Sequence, residues 1–295
     1  MKHSIFKGMA TALVTPMTPH GVDYHTLARL IEFQIAEGIN GLVAVGTTGE
    51  SATLSPQERT EVIKFTVKQV NGRVPVIAGT GTNNTEHVLE FTRSACGEGA
   101  DAVLVVTPYY NKATQKGLIA HYTAIADVSE KPVIMYSVPG RTGCTILPDT
   151  AAELSYHPMI AALKDANGNM DMTVETIAKC GDRLDIYSGE DSLTVPMLAM
   201  GGIGCISVLS NVAPRGAVEM CDKFFAGDIA GAAQLQCKYL PLIRCLFSEV
   251  NPIPAKAAIA AMGFGEEYLR MPLSLMEDKT RAVLMNELRK LGILQ

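Results

Sequence analysis

Eight short apolar runs alternate with amphipathic segments through most of this chain, and the alternation limits the folds that are open to it. The runs are rich in Val, Ile and Ala, as strands are when both faces of a sheet are covered. Strands that alternate with helices predict a parallel sheet. The predicted strands cover residues 10–14, 41–45, 74–78, 102–106, 133–137, 160–164, 184–188 and 204–208.

The segments between these strands have the apolar periodicity of helices that pack on a sheet. Eight strand–helix repeats predict an α/β fold of the (β/α)8 TIM barrel type, which typically takes about 250 residues. A doubly wound open sheet is the structural alternative. The predicted helices cover residues 24–36, 56–70, 85–96, 117–128, 148–154, 173–179 and 193–200.

The chain beyond residue 214 contains no strand-like run and carries helical patterns only. Asp228 suits an N-cap and Gly292 a C-cap position. We predict a barrel that carries the active site over residues 1–226 and a C-terminal helical domain, packed on that barrel, over residues 227–295. The helical patterns cover residues 218–226, 229–247, 253–262 and 278–291.

Charge and cysteine usage exclude several classes of partner. The formal net charge is −5 with no basic stripe, so no nucleic acid is expected. No apolar run reaches the roughly 18 residues of a membrane helix, so no membrane partner is expected. The seven cysteines form no C-x-x-C pair and the six histidines lack metal-ligand spacing, so neither a metal nor a cofactor is predicted. Scattered thiols without a secretory signal predict a cytoplasmic protein.

Lys164 stands at the carboxyl end of the sixth predicted strand, directly before a turn rich in Asn and Gly. Burial there would disfavour the ammonium form of the side chain. A neutral amine attacks carbonyl groups and forms a Schiff base. The plain alternative is a lysine that extends out of the strand end into water.

Polar residues collect after the predicted strands, where the carboxyl ends of barrel strands build active sites. Each has a plain interpretation alone, as a turn residue, a packing aromatic or a solvated charge. Together they supply a lysine nucleophile, a tyrosine for proton transfer, bridging hydroxyls and an arginine for a carboxylate. These residues lie within 46–51, 107–111, 136–142, Lys164, 189–191 and 206–211.

Five stretches of the chain resemble signatures of the dihydrodipicolinate synthase family, a group of pyruvate-dependent Schiff-base enzymes. The resemblance extends from Gly8 to the last helices. The stretches are residues 46–51 (GTTGES), 107–111 (TPYYN), 136–142 (YSVPGRT), 163–165 (LKD) and 251–256 (NPIPAK).

The resemblance implies a lyase that condenses pyruvate with L-aspartate 4-semialdehyde to 4-hydroxy-tetrahydrodipicolinate, in the diaminopimelate route to lysine. It implies that Lys164 forms the imine with pyruvate and that Tyr136 gives and takes protons. Thr47 and Tyr110 would complete a proton relay, with Tyr110 supplied by a neighbouring subunit. It also implies a homotetramer built from two tight dimers.

The resemblance also implies where the substrates bind. Thr48 would bind the carboxylate of pyruvate, and Arg141 would bind the carboxylate of the semialdehyde with its planar fork. The main-chain carbonyl groups of Gly189 and Ile206 would face the site.

Other functions remain open at this point. Sialic-acid aldolases and 2-keto-3-deoxy sugar-acid aldolases of the same family share the barrel and the lysine. Thr47 favours the synthase over the sialic-acid aldolases, which usually have a serine at this position. Arg141 favours it over the sugar-acid aldolases, which generally lack this arginine. A barrel without catalytic activity that binds a small carboxylate is a third hypothesis.

Two groups of residues depart from the family pattern. Ser137 and Gly140 replace a usual asparagine and a common serine near Arg141. At the positions where many family members bind lysine as an inhibitor, a carboxylate is missing and an arginine is added, which predicts weak or absent lysine inhibition. The matching positions are Ser51, Ala52, Pro56, Arg59, Asn83, His87 and Tyr109.

Overall fold

Eight parallel strands close into a barrel in the computed structural model, which describes residues 4–295. The first barrel strand pairs with both the second and the last, so the sheet has no free edge. The predicted (β/α)8 barrel is therefore confirmed, and the open-sheet alternative is wrong. The barrel strands are β1 (Gly8–Ala12), β4 (Gly41–Ala44), β5 (Val76–Gly79), β6 (Ala102–Val106), β7 (Val133–Ser137), β8 (Ile160–Asp165), β9 (Asp185–Ser188) and β10 (Gly204–Ser207).

Two of the eight strands have the predicted bounds and the other six differ by one or two residues at one or both ends, β5 and β1 among them. β5 begins at Val76 rather than at residue 74 because Pro75 has no N–H to give to the ladder, although its carbonyl accepts from Leu42 N at 3.0 Å. β1 ends at Ala12, shortly before a small hairpin that the sequence did not predict. The arms of that hairpin are β2 (Met17–Thr18) and β3 (Gly21–Val22), each too short to show a strand pattern.

Twelve α-helices are present in the described part of the chain, and three of them have the predicted bounds. They are α1 (Tyr24–Ala36), α2 (Pro56–Val70), α3 (Thr85–Gly97), α4 (Gln115–Val128), α5 (Pro139–Thr142), α6 (Pro148–Leu154), α7 (Met170–Cys180), α8 (Thr194–Ala199), α9 (Pro214–Phe225), α10 (Ile229–Leu246), α11 (Ile253–Ala261) and α12 (Asp278–Lys290).

Local capping explains where several helices begin and end. The Asp228 side chain accepts from Gly231 N at 2.8 Å, which confirms the predicted N-cap of α10. Gly292 follows the last turn of α12 with a φ of +71°, the left-handed conformation expected after a helix C-cap. α9 begins at Pro214 rather than at residue 218, since proline is well tolerated in the first helical turn.

The barrel interior holds a small apolar core of its own, separate from the larger core between strands and helices. Ala162 belongs to this interior core. Because side chains two residues apart on a strand share a face, Lys164 points to the same interior as Ala162. The fold therefore directs the lysine into the carboxyl-end mouth of the barrel.

The C-terminal helices α10, α11 and α12 follow the barrel. The predicted division of the chain after residue 226 into two domains stays a prediction. None of the helices within residues 4–295 has the length and apolarity needed to cross a membrane.

Candidate active site

A cavity of about 200 Å³ lies at the carboxyl-end mouth of the barrel. Six of the eight predicted catalytic and substrate-binding residues line it, namely Thr47, Thr48, Tyr136, Arg141, Lys164 and Gly189. The strand ends thus bring together residues that are far apart in the sequence.

Lys164 is only 5% exposed, so the alternative of a lysine extended into water is wrong. Its Nζ lies 4.3 Å from the centroid of the Tyr136 ring. In the sheet, Lys164 is in register with Tyr136 on one side and Tyr187 on the other. Gly189 packs against the lysine stem, because a Cβ built there would meet Lys164 Cε at 3.0 Å. The amine is held in a narrow, largely aromatic and aliphatic setting.

Two acidic residues follow β9 beside the lysine, and the sequence reasoning gave neither a role. Asp191 is fully buried and accepts from the Ser207 hydroxyl and from Val208 N at 2.9 Å. Burial raises the pKa of Asp191 and of Glu190, and the nearby charge of Lys164 acts in the opposite direction on both. Glu190 also lines the cavity, so an acidic side chain faces the same space as the lysine.

The loop after β4 presents Thr47 and Thr48 to the cavity through a strained backbone. Val45 has a φ of +57° and Glu50 a φ of +56°, both in the left-handed region that residues other than glycine seldom adopt. Thr48 is 2% exposed, and its Oγ1 accepts from Asn251 Nδ2 at 3.0 Å. The loop is therefore fixed by contacts from outside it.

Arg141 lies in the short helix α5 at the cavity mouth, where its side chain is exposed. Its Nη2 donates to the main-chain oxygen of Asn251 at 3.0 Å. Of the two departures near it, Ser137 is buried and its Oγ accepts from Ile146 N at 3.2 Å, which fixes the following loop. Gly140 lines the cavity with open space where a Cβ would lie.

A second cavity, of about 250 Å³, adjoins the first and shares four lining residues with it, namely Thr47, Val138, Arg141 and Asn251. Three residues of the predicted lysine-binding set line this second cavity, namely Ser51, Ala52 and Tyr109.

Arg59, from the same predicted set, is 6% exposed and donates to Ser51 O at 3.0 Å and to Gly79 O at 3.1 Å. Its guanidinium lies 4.3 Å from the centroid of the Phe91 ring, and burial lowers its pKa to about 10. Asn83 and His87 are not among the residues that line the cavity.

Two predicted site residues do not line the first cavity. Tyr110 is 92% exposed and has a φ of +71°. Ile206 is 1% exposed and packs in the interior core of the barrel. Within one chain, the structure therefore does not bring Tyr110 to Lys164.

Asn251 and Phe247 also line the first cavity, and sequence reasoning assigned no role to either. The signal for Asn251 was present, because it begins the NPIPAK stretch that resembles a family signature. Phe247 follows a long helix and has no local pattern that would mark it as part of a site.

Comparisons with known proteins agree on one family. A profile of the dihydrodipicolinate synthetase family matches residues 5–291. The 4-hydroxy-tetrahydrodipicolinate synthase of Lachnoclostridium phytofermentans is 50% identical over 293 residues, which cover 99% of this chain and 100% of the relative. The crystal structure of dihydrodipicolinate synthase from Thermotoga maritima has a TM-score of 0.97 at 41% identity, covering 99% of this chain and 100% of that chain. The chloride-inhibited dihydrodipicolinate synthase from Acinetobacter baumannii, complexed with pyruvate, has a TM-score of 0.96 at 44% identity, covering 98% and 99% of the two chains.

Proposed function

The chain belongs to the dihydrodipicolinate synthetase family, and on that premise we propose which of its residues carry out the reaction. It is a lyase that condenses pyruvate with L-aspartate 4-semialdehyde to 4-hydroxy-tetrahydrodipicolinate. The arrangement around Lys164 supports an imine mechanism for this condensation.

Lys164 is the nucleophile in this proposal. Its neutral Nζ attacks C2 of pyruvate, and the carbonyl oxygen leaves as water after it has gained two protons, which gives an imine. Loss of a proton from the C3 methyl group then gives an enamine. The C3 atom of the enamine attacks the aldehyde carbon of the second substrate, and the new alkoxide is protonated. The amino group of the second substrate finally displaces Lys164 from C2, which closes the ring and releases the enzyme.

Tyr136 and Thr47 move the protons in these steps. The Tyr136 ring lies against the Lys164 amine, within reach of a group bound there. Thr47 lines both cavities, so its hydroxyl can pass a proton from the second cavity to the first.

Tyr110 completes the relay from a neighbouring subunit. Its almost complete exposure and left-handed backbone present a phenol that its own chain does not cover. We therefore propose a homotetramer assembled from two tight dimers, in which the site needs a residue from each partner of a dimer.

Thr48 and Arg141 bind the two substrate carboxylates. Thr48 lies deep in the first cavity and binds pyruvate, whereas Arg141 at the mouth binds the semialdehyde. Arginine suits the second role because its fork of N–H donors matches a carboxylate. The main-chain oxygens of Gly189 and Ile206, at the carboxyl ends of strands, face the site in this proposal.

We also propose that the enzyme works in the cytoplasm and is inhibited weakly or not at all by lysine. All seven cysteines are free thiols, as is typical of a reducing compartment. Arg59 adds a cation beside Ser51 in the lysine-binding set, and like charges disfavour the binding of a cationic amino acid.

The burial of Lys164 against Tyr136 is the observation that carries the proposal, and borohydride trapping tests it. Borohydride with pyruvate should add a reduced pyruvyl group to Lys164, found by mass spectrometry of the peptide that contains it. Lys256, also buried but paired with Glu50, is the internal control and should stay unlabelled. An unlabelled Lys164, or the absence of product from pyruvate and the semialdehyde, would contradict the proposal.

A further inference from the structure

Two hydrogen bonds connect Asn251 to both carboxylate-binding residues of the site. Its side-chain Nδ2 donates to Thr48 Oγ1 at 3.0 Å, and its main-chain oxygen accepts from Arg141 Nη2 at 3.0 Å. Asn251 is 5% exposed and lines both cavities. It therefore contacts Thr48 through its side chain and Arg141 through its backbone.

The direction of the side-chain hydrogen bond decides what the Thr48 hydroxyl can do. A threonine hydroxyl has one O–H donor and two acceptor lone pairs. Because Asn251 donates to the oxygen, the proton of the Thr48 hydroxyl is left to donate elsewhere. An ionised carboxylate only accepts hydrogen bonds, so the O–H of Thr48 is available to donate to the carboxylate of pyruvate.

The amide oxygen of Asn251 indicates that packing alone does not explain why an asparagine occupies this position. Asn251 Oδ1 is buried and has no hydrogen-bond partner among the described residues. A buried polar atom without a partner destabilises a protein. An apolar side chain of similar size would avoid that cost, so the amide is better explained by the hydroxyl that it orients.

The backbone around Asn251 is anchored to the loop that carries Thr48. Lys256, in α11, forms a buried ion pair with Glu50 of that loop and donates to Tyr268 O at 2.7 Å. Two contacts therefore connect the loop after β4 with the segment around Asn251: the Asn251–Thr48 hydrogen bond and the Lys256–Glu50 ion pair.

We propose that Asn251 is a positioning residue for pyruvate, whose side-chain amide directs the Thr48 hydroxyl toward the pyruvate carboxylate. Its main-chain oxygen steadies Arg141 by a separate route. The inference rests on the proposed function, which assigns Thr48 to pyruvate and Arg141 to the semialdehyde.

Substitution of Asn251 separates the two routes. Asn251→Leu removes the amide and keeps the main-chain oxygen, so KM for pyruvate should rise about 3- to 10-fold, the equivalent of one hydrogen bond. KM for the semialdehyde and kcat should stay near the parent values, because Arg141 keeps its contact.

Asn251→Asp keeps the size of the side chain and reverses the hydrogen bond. The carboxylate would accept from the Thr48 hydroxyl, which turns the O–H proton away from pyruvate and places a negative charge beside its carboxylate. KM for pyruvate should rise about 10- to 100-fold, more than in Asn251→Leu.

The test measures steady-state kinetics of the full-length variants with each substrate varied, and the pyruvate concentration that gives half-maximal borohydride inactivation. In a Thr48→Val background, Asn251→Leu should change KM for pyruvate little further, since the positioned hydroxyl is gone. The midpoint temperature of thermal unfolding should be no lower for Asn251→Leu than for the parent enzyme.

Additive effects of the two substitutions would overturn the inference, as would an equal rise in both KM values. If Asn251→Leu does not fold, Asn251→Ala, which also removes the amide and keeps the main-chain oxygen, carries the same comparison. A parent enzyme that forms no adduct on Lys164 refutes the proposed function instead. An adduct on Lys164 together with an unchanged KM for pyruvate in Asn251→Leu refutes this inference alone.

Discussion

Arg141 is exposed at the cavity mouth, and its Nη2 donates to the main-chain oxygen of Asn251. Arg141→Lys keeps the charge and loses the fork. We expect KM for the semialdehyde to rise about 10- to 100-fold, as for a lost hydrogen bond to a charged group, while KM for pyruvate stays near the parent value. Steady-state kinetics with each substrate varied measures both. Arg73→Lys is the control, because Arg73 pairs with Glu32 and lines neither active-site cavity, and an equal loss there would contradict the assignment.

Arg59 governs the response to lysine in our interpretation. We expect millimolar lysine to leave most of the activity, measured as product formation from both substrates. The double variant Arg59→His and His87→Glu replaces a cation and adds a carboxylate, so it should gain lysine inhibition. Strong inhibition of the parent enzyme by lysine would contradict the prediction. Lys68→Gln, on the exposed side of α2, is the control, because it removes one positive charge of the same helix outside the predicted lysine-binding set.

At the scale of elements, a buried ion pair joins α11 to the loop after β4. Glu50 is 4% and Lys256 1% exposed. Breaking a buried pair leaves one charge without its partner, so Lys256→Met should lower the free energy of unfolding by about 3–5 kcal/mol. The double variant Glu50→Gln and Lys256→Met should recover part of this loss. Urea denaturation measures the free energy of unfolding of each variant. Lys290→Met, which breaks the ion pair with Glu287 at the surface, is the control and should lower this free energy by only about 0–1 kcal/mol.

A second ion pair gives α2 a dependence on acidity. Hydrogen bonds from Arg270 hold the pKa of Glu58 at about 2, below its ordinary value of 4.5. A lowered folded-state pKa contributes stability that is complete above about pH 4.5 and is lost as the pH falls through about 2. Glu58→Gln should therefore lower the free energy of unfolding by about 1 kcal/mol at neutral pH, after screening by solvent, and this difference should disappear as the pH falls below about 2. A difference that persists in acid would contradict this, since glutamine keeps the size of the side chain.

The barrel and the position of Lys164 could be predicted because both follow from local periodicity. Strands buried on two faces are continuous apolar runs, and alternation along β8 turns Lys164 into the barrel. The contact of Asn251 with Thr48 could not be predicted in this way, since it joins residues 203 positions apart and depends on how α11 packs. The resemblance marked the stretch, but only coordinates give the hydrogen bonds.

At the scale of the whole molecule, the proton relay that we propose is incomplete within one chain, because Tyr110 does not line the cavity that contains Lys164. Tyr110→Phe and Lys164→Ala should each be nearly inactive as pure proteins. Co-expressed subunits should regain activity, since a mixed dimer contains one site with both native residues; random pairing gives about a quarter of the parental rate. Mixing Lys164→Ala with Tyr136→Phe is the control, because both changes fall in the same chain's site. An inactive first mixture would place Tyr110 outside the relay.

The eight barrel strands end at Ser207, whereas Asn251 lies well beyond them. A chain cut after the barrel, by premature termination or by a protease, would keep Lys164 but lack Asn251 and its hydrogen bonds to Thr48 and Arg141. We therefore expect such fragments to be poor catalysts, even though all eight barrel strands are present in them.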